Sequence, residues 1–287
     1  MKVVAIINHK GGAGKTTLTA NLGAGLAARG QRVLLIDLDS QASLTVSFFT
    51  QNESPDELLP TKTIKHWYDG LETGDAMEDP TALLSSPPRV LGKLRRGSGH
   101  LDLIAAHRDL ADVETQLAAQ LLSAPGHFAP LHSRLRNALT HKSLAEYDTV
   151  LIDCAPNFGL IAKNAVAAAD MLLIPTKPDY LSTNGIDSLG LKIRDFTDEF
   201  NEHGQGQIAR PPAAVVFTMV QNHDGEPIEA QKTVISRIEA RRVPTFATTR
   251  RCWWSAGTAY CTASTMGRAC SAVSTIGTMM PSAPALR

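Results

Sequence analysis

The chain is poor in aromatic residues, 5% of 287, and has only four cysteines. No apolar run reaches the roughly 18 residues that a membrane-crossing helix needs, so no transmembrane segment and no membrane partner is expected. The N-terminus runs directly into an apolar stretch without a charged leader, which predicts no secretory signal. Four cysteines without paired metal spacing predict a reducing, cytoplasmic setting. Neither sign of charge is in excess: Lys and Arg number 28, Asp and Glu 28. The distribution is uneven, because residues 241–287 hold six arginines and no Asp, Glu or Lys. Residues 1–240 therefore carry 22 basic and 28 acidic residues, a balance of −6. A body of that charge excludes nucleic-acid binding through bulk positive charge; any such contact needs a local basic patch. An apolar content of 43% is enough for one large α/β domain or two small ones.

The most informative stretch is His9-Lys10-Gly11-Gly12-Ala13-Gly14-Lys15-Thr16-Thr17. Val3 to Ile7 before it reads as a buried strand, and Leu18 to Ala28 after it as a helix. A strand, a glycine-rich turn and a helix form a phosphate-binding loop. The glycines let successive N–H groups converge on an anion, and the helix N-terminus adds partial positive charge. Lys15 is placed to reach the β- and γ-phosphates, and the Thr16 hydroxyl to bind Mg²⁺. The usual loop has Gly at the position of His9.

With Lys10 present, this Lys-Gly-Gly-x-Gly-Lys-Thr-Thr form resembles the deviant phosphate loop of the ParA/MinD class of P-loop ATPases. The resemblance implies that Lys10 reaches across a dimer interface to the partner subunit's nucleotide. It also implies ATP and Mg²⁺ as cofactors, bound by Lys10, Gly11, Gly12, Ala13, Gly14, Lys15, Thr16 and Thr17.

Two further segments resemble the same class. Val33 to Ile36 reads as a second buried strand with Asp37-Leu38-Asp39-Ser40-Gln41 at its C-terminal end, where open parallel sheets bind ligands. The segment resembles Asp-x-Asp-Pro-Gln, with Ser40 in place of Pro. The resemblance makes Asp39 the residue that orients the attacking water; by itself, Asp39 equally suits an N-cap of a helix starting near Gln41. Thr149-Val150-Leu151-Ile152-Asp153 is a hydrophobic strand tipped by a carboxylate, resembling the Walker B segment. Asp153 would hold Mg²⁺ through water, opposite Thr16. Asn157-Phe158-Gly159 would form the second switch segment.

Elsewhere, strands are expected at 101–105, 170–175 and 213–219, and helices at 109–122, 127–144, 164–169, 181–200 and 227–240. Strands alternating with helices predict an α/β fold, a doubly wound, mostly parallel sheet flanked by helices. Arg89 to His100 reads as a basic loop. After Arg250 the pattern changes: Ser, Thr, Ala, Gly, Cys and Trp dominate and no period survives. Residues 1–249 are thus expected to form the ParA-like domain and 250–287 an aberrant or disordered tail, as a reading-frame shift near Thr249 would produce.

The resemblance implies partition of chromosomes or plasmids. ATP would drive homodimerisation, the dimer would bind DNA without sequence preference, and a ParB-like adaptor would stimulate hydrolysis. Such a protein would be nucleoid-associated. Two alternatives stand: a MinD-like positioning ATPase, for which the tail lacks an amphipathic helix, and an inactive remnant of a shifted frame.

Overall fold

The computed structural model describes residues 1–49, 61–73, 79–92, 94, 99–123, 126, 128–203, 207–224, 226–240, 250–255 and 258–261. Their order begins β1 (Lys2–Ile6), α1 (Lys15–Ala27), β2 (Arg32–Leu38), α2 (Ser43–Phe48), α3 (Ile64–Thr73), α4 (Pro88–Leu91), β3 (His100–Ile104) and α5 (Leu110–Ser123). There follow α6 (Phe128–His132), α7 (Arg134–Leu139), β4 (Thr149–Cys154), α8 (Leu160–Ala168), β5 (Met171–Thr176) and α9 (Tyr180–His203). The remainder is β6 (Ala213–Phe217), the small hairpin β7 (Asn222–His223) and β8 (Glu226–Pro227), α10 (Glu229–Ala240), β9 (Arg250–Ser255) and β10 (Thr258–Cys261).

The main sheet has the order β10-β9-β6-β5-β1-β4-β2-β3, and every pairing is parallel except that of β10 with β9. The doubly wound α/β fold expected from the alternation is the fold observed. Val33 to Ile36 and Val150 to Ile152 are wholly buried, because helices cover both faces of the sheet. Leu18, Leu22 and Leu26 of α1 pack with Leu35 on one face. Gly23 lets α1 lie close there, since a Cβ would stand 2.7 Å from Leu35 Cδ2. Leu110, Val113 and Leu117 of α5 and Ile186, Ile193 and Phe196 of α9 fill the other face.

Two expectations need correction. The single helix expected over 127–144 is divided into α6, α7 and a 3-10 turn at Lys142–Leu144. Ser133 and Thr140 have ψ of −5° and −4°, off the helical value, and the Thr140 hydroxyl bonds the Asn137 carbonyl at 2.7 Å. Residues 250–255 and 258–261, expected to lack regular structure, add two strands to the sheet. The buried strand β6 offers an edge of unpaired backbone groups, and that ladder does not depend on a side-chain period. The expected frame change near Thr249, residues 262–287, and Lys93, Arg95 and Arg96 of the basic loop lie outside the described residues.

Candidate functional site

The site is built at the C-terminal ends of β1, β2 and β4, which are adjacent in the sheet. Asn8, just past β1, anchors the loop. Its Nδ2 donates to the Pro175 carbonyl at 2.6 Å, and its Oδ1 accepts from the Lys10 N–H at 3.0 Å. Gly12 (φ +65°) and Gly14 (φ +89°) occupy left-handed conformations that reverse the chain into α1. The helix starts at Lys15, three residues earlier than its apolar pattern suggests. No side chain caps it and no acidic residue stands in its first turn, so its leading amides are available to an anion.

Lys15 is buried and curls over the loop, with Nζ 3.3 Å from the Lys10 carbonyl oxygen. Burial lowers its pKa, opposed by the charges of Asp153 and Asp39. Its ammonium therefore lies in a poorly hydrated pocket within reach of both predicted carboxylates. His9 is half-buried, and burial with the nearby Lys192 and Lys15 lowers its pKa. It stands in the usual Gly position, its imidazole biased toward the neutral form.

Asp153 and Asp37 face one another in register across β4 and β2, and both are completely buried. Burial pushes the Asp153 carboxyl up to about 7, with help from Asp37 and against Thr16, Lys15 and Thr19. Burial likewise pushes Asp37 up to about 6, although its carboxylate accepts from the Thr45 N–H (2.9 Å) and hydroxyl (2.8 Å). Asp153 Oδ1 accepts from Thr19 at 3.3 Å, whereas its Oδ2 is buried with no hydrogen-bond partner among the described residues. A buried, unsatisfied carboxylate oxygen beside the Thr16 hydroxyl is a donor set suited to a hard divalent cation. Thr16 and Asp153, assigned together from sequence, are thus brought together.

Asp39 caps no helix. α2 begins at Ser43 after Ala42, while Asp39 Oδ1 accepts from the Gln41 N–H at 3.0 Å in a local turn. Lys10 points away from its own loop: Nζ is 2.9 Å from Asp179 Oδ2 and 3.0 Å from the Ser182 hydroxyl at the start of α9. That pair is partly exposed, and such pairs contribute only about 0.2–1 kcal/mol, so Lys10 can leave it readily. Asp37, Asp179, Ser182 and Thr218 were not singled out from sequence. Thr218 follows β6; its hydroxyl donates to the Ala13 carbonyl at 2.7 Å, tying β6 to the loop. A cavity of about 100 Å³ lies there, lined by Gly14, Thr17, Leu18, Thr218 and Met219.

A family profile described as an AAA domain matches residues 1–205. The chromosome partitioning protein ParA of Caulobacter vibrioides is 33% identical over 238 residues, covering 82% of this chain and 75% of that protein. The chain belongs to the ParA family of P-loop NTPases. An uncharacterized protein of Mycobacterium tuberculosis is 32% identical over 200 residues, 70% of this chain and 54% of its own length. The chain thus spans about half of that relative. Among solved structures, cobyrinic acid a,c-diamide synthase from Mycobacterium smegmatis, with bound ADP and magnesium, matches at a TM-score of 0.63 and 27% identity. The match covers 84% of this chain and 82% of that one. Among the described residues, no helix is long and apolar enough to cross a membrane.

Proposed function

We propose that this chain is a ParA-like ATPase that binds ATP with Mg²⁺, pairs with a second copy and uses the pair to hold DNA for partition. One observation carries the nucleotide reading: the buried Asp153 carboxylate, whose Oδ2 has no hydrogen-bond partner among the described residues, interacts with Lys15 and Thr16 in the first turn of an uncapped helix. A cation–phosphate ligand supplies what both lack, positive charge for the carboxylate and negative charge for the amides. Thr16 and Asp153 would hold the cation, Asp153 through water, and the cation would offset phosphate charge. Gly11 to Thr17 would hold the β- and γ-phosphates, and the cavity beside Thr218 would take the nucleoside side.

The residues then divide the chemistry. Lys15 neutralises the β- and γ-phosphates, and its partly desolvated ammonium does so more strongly than one in water. Asp39, at the tip of β2, orients the attacking water and accepts hydrogen bonds from it. Lys10 leaves Asp179 and reaches the nucleotide of the second subunit, which makes dimerisation dependent on ATP. Stimulation by a ParB-like adaptor and nucleoid association follow from the same family reading.

The test is titration of the wild type, Lys15→Ala and Lys10→Ala with a fluorescent ATP analogue and Mg²⁺, alongside sedimentation. Lys15→Ala is expected to lose nucleotide binding. Lys10→Ala is expected to bind as a monomer and to lose ATP-dependent dimerisation. Equal loss of affinity in both variants would remove the cross-interface role of Lys10, and binding by Lys15→Ala at wild-type strength would remove the nucleotide reading.

A further inference from the structure

The second switch segment ends in a contact that the ATPase reading does not use. Glu114, in the second turn of α5, directs its carboxylate at the first turn of α8. Oε1 accepts from the Leu160 N–H, and Oε2 from the Ile161 N–H at 3.2 Å. A helix start is therefore capped by a side chain 46 residues away in sequence. Gly159 immediately precedes these amides with φ −83° and ψ −168°, extended backbone that any residue adopts. Its conformation does not call for glycine. Its surroundings matter more, because a Cβ at this position would displace the Glu114 carboxylate, the mobile end of a flexible side chain.

The segment held in this way has room to move and neighbours to move with. A cavity of about 270 Å³ separates it from the end of β2, lined by Leu38, Ser40, Leu110, Glu114, Cys154 and Asn157. The Phe158 ring stands edge-on to His9 of the phosphate loop, with centroids 6.1 Å apart, and to Phe196 of α9 at 6.4 Å. Asp153 is one end of this run and the Glu114 clamp the other. We propose that Glu114 is a positioning residue. Its carboxylate pins residues 155–159 through the first turn of α8, and so sets how this segment responds to nucleotide at the phosphate loop. The proposal rests on the nucleotide reading above for its consequence, but the clamp itself exists without ligand. A charge-assisted pair of hydrogen bonds at a helix N-terminus is among the stronger side-chain contacts, and the neutral amide of Gln cannot accept through both of its atoms.

The experiment compares full-length wild type, Glu114→Gln, Glu114→Ala, Gly159→Ala and the double variant Glu114→Ala/Gly159→Ala. Three quantities are read: nucleotide affinity, turnover, and amide hydrogen exchange by mass spectrometry with and without Mg²⁺·ATP. Without nucleotide, amides 159–161 should exchange faster in each single variant. With nucleotide, residues 10–17 should stay protected and affinity should change by less than about threefold, while protection of 155–161 is lost and turnover falls about tenfold. Gly159→Ala should match Glu114→Ala, and the double variant should be no worse than either, because both break one contact. A lowered melting temperature with turnover and protection of 155–161 unchanged would overturn the proposal, as would additive effects in the double variant. Absence of protection at 10–17 in the wild type would instead count against the nucleotide reading, with the clamp still judged from amides 159–161. Glu114→Gln keeps the side-chain volume, so the comparison stands if the alanine variants fold poorly.

Discussion

Two carboxylates in register at the tips of β2 and β4 cost stability until something pairs with them. Asp153 (about 7) and Asp37 (about 6) both lie above the ordinary carboxylate range, so the folded chain binds more protons than the unfolded chain between roughly pH 4 and 7. Stability from this pair is thus present at low pH and lost as pH rises through these values. Asp153→Asn should therefore stabilise the nucleotide-free protein at pH 8, by on the order of 1 kcal/mol or more, since each tenfold change in proton affinity is worth ~1.36 kcal/mol. The gain should shrink toward pH 5, and the variant should lose Mg²⁺-dependent ATP binding. Thermal melts from pH 5 to 8 check this; a variant less stable than wild type at pH 8 would show that Asp153 is satisfied within the fold. Asp39 belongs to the same scale but to a different role. It lies at the tip of β2 and caps no helix, so Asp39→Ala should keep ATP affinity within a fewfold. Turnover should fall by about 10²-fold or more, the scale of a lost general base. Single-turnover kinetics decide it: turnover at the wild-type rate would leave Asp39 as a turn residue only.

At the scale of elements, β1, β2, β4, β5 and α1 were legible because the strands are near-continuous apolar runs and α1 buries residues at every turn. The places of Lys15 and Thr16 at the start of α1 and of Asp153 at the end of β4 were legible because each stands at the end of an element with such a pattern. What escaped notice were contacts between residues distant in sequence: Thr218 on Ala13, Asp179 on Lys10, Glu114 on α8. Each is a single polar residue on a helix or loop, with no period to mark it. β9 escaped for a related reason, since a strand added to an exposed edge is selected by backbone bonds. Cys252 in β9 is opposite Val216 of β6 on one side and Cys261 of β10 on the other. Its N–H serves one ladder or the other, so Cys252→Pro removes a sheet hydrogen bond whichever way it points. The expected loss is about 1 kcal/mol, the net worth of one backbone hydrogen bond, plus the cost of a proline within a strand. Urea unfolding measures it, and an unchanged midpoint would mean that β9 adds nothing to the domain.

Across the whole molecule, charge decides what kind of DNA contact is possible. The chain is neutral overall, and residues 1–240 carry a balance of −6. A long polyanion is repelled by such a body unless basic side chains are gathered on one surface. Pairing two copies doubles whatever patch a single copy has, and it brings both to one strand, so affinity rises through effective concentration as well as through charge. Binding should therefore require ATP and Mg²⁺, follow dimer formation, and be absent in Lys10→Ala even where that variant binds nucleotide. With contacts to phosphates, as proposed, log affinity should fall linearly with log salt, and binding of unrelated duplex sequences should be equal within a fewfold. Fluorescence anisotropy of a labelled duplex between about 50 and 200 mM salt measures the slope; four or more phosphate contacts across the pair imply a loss of about 10²-fold. Binding by the nucleotide-free monomer, or affinity independent of salt, would exclude a DNA surface assembled by dimerisation.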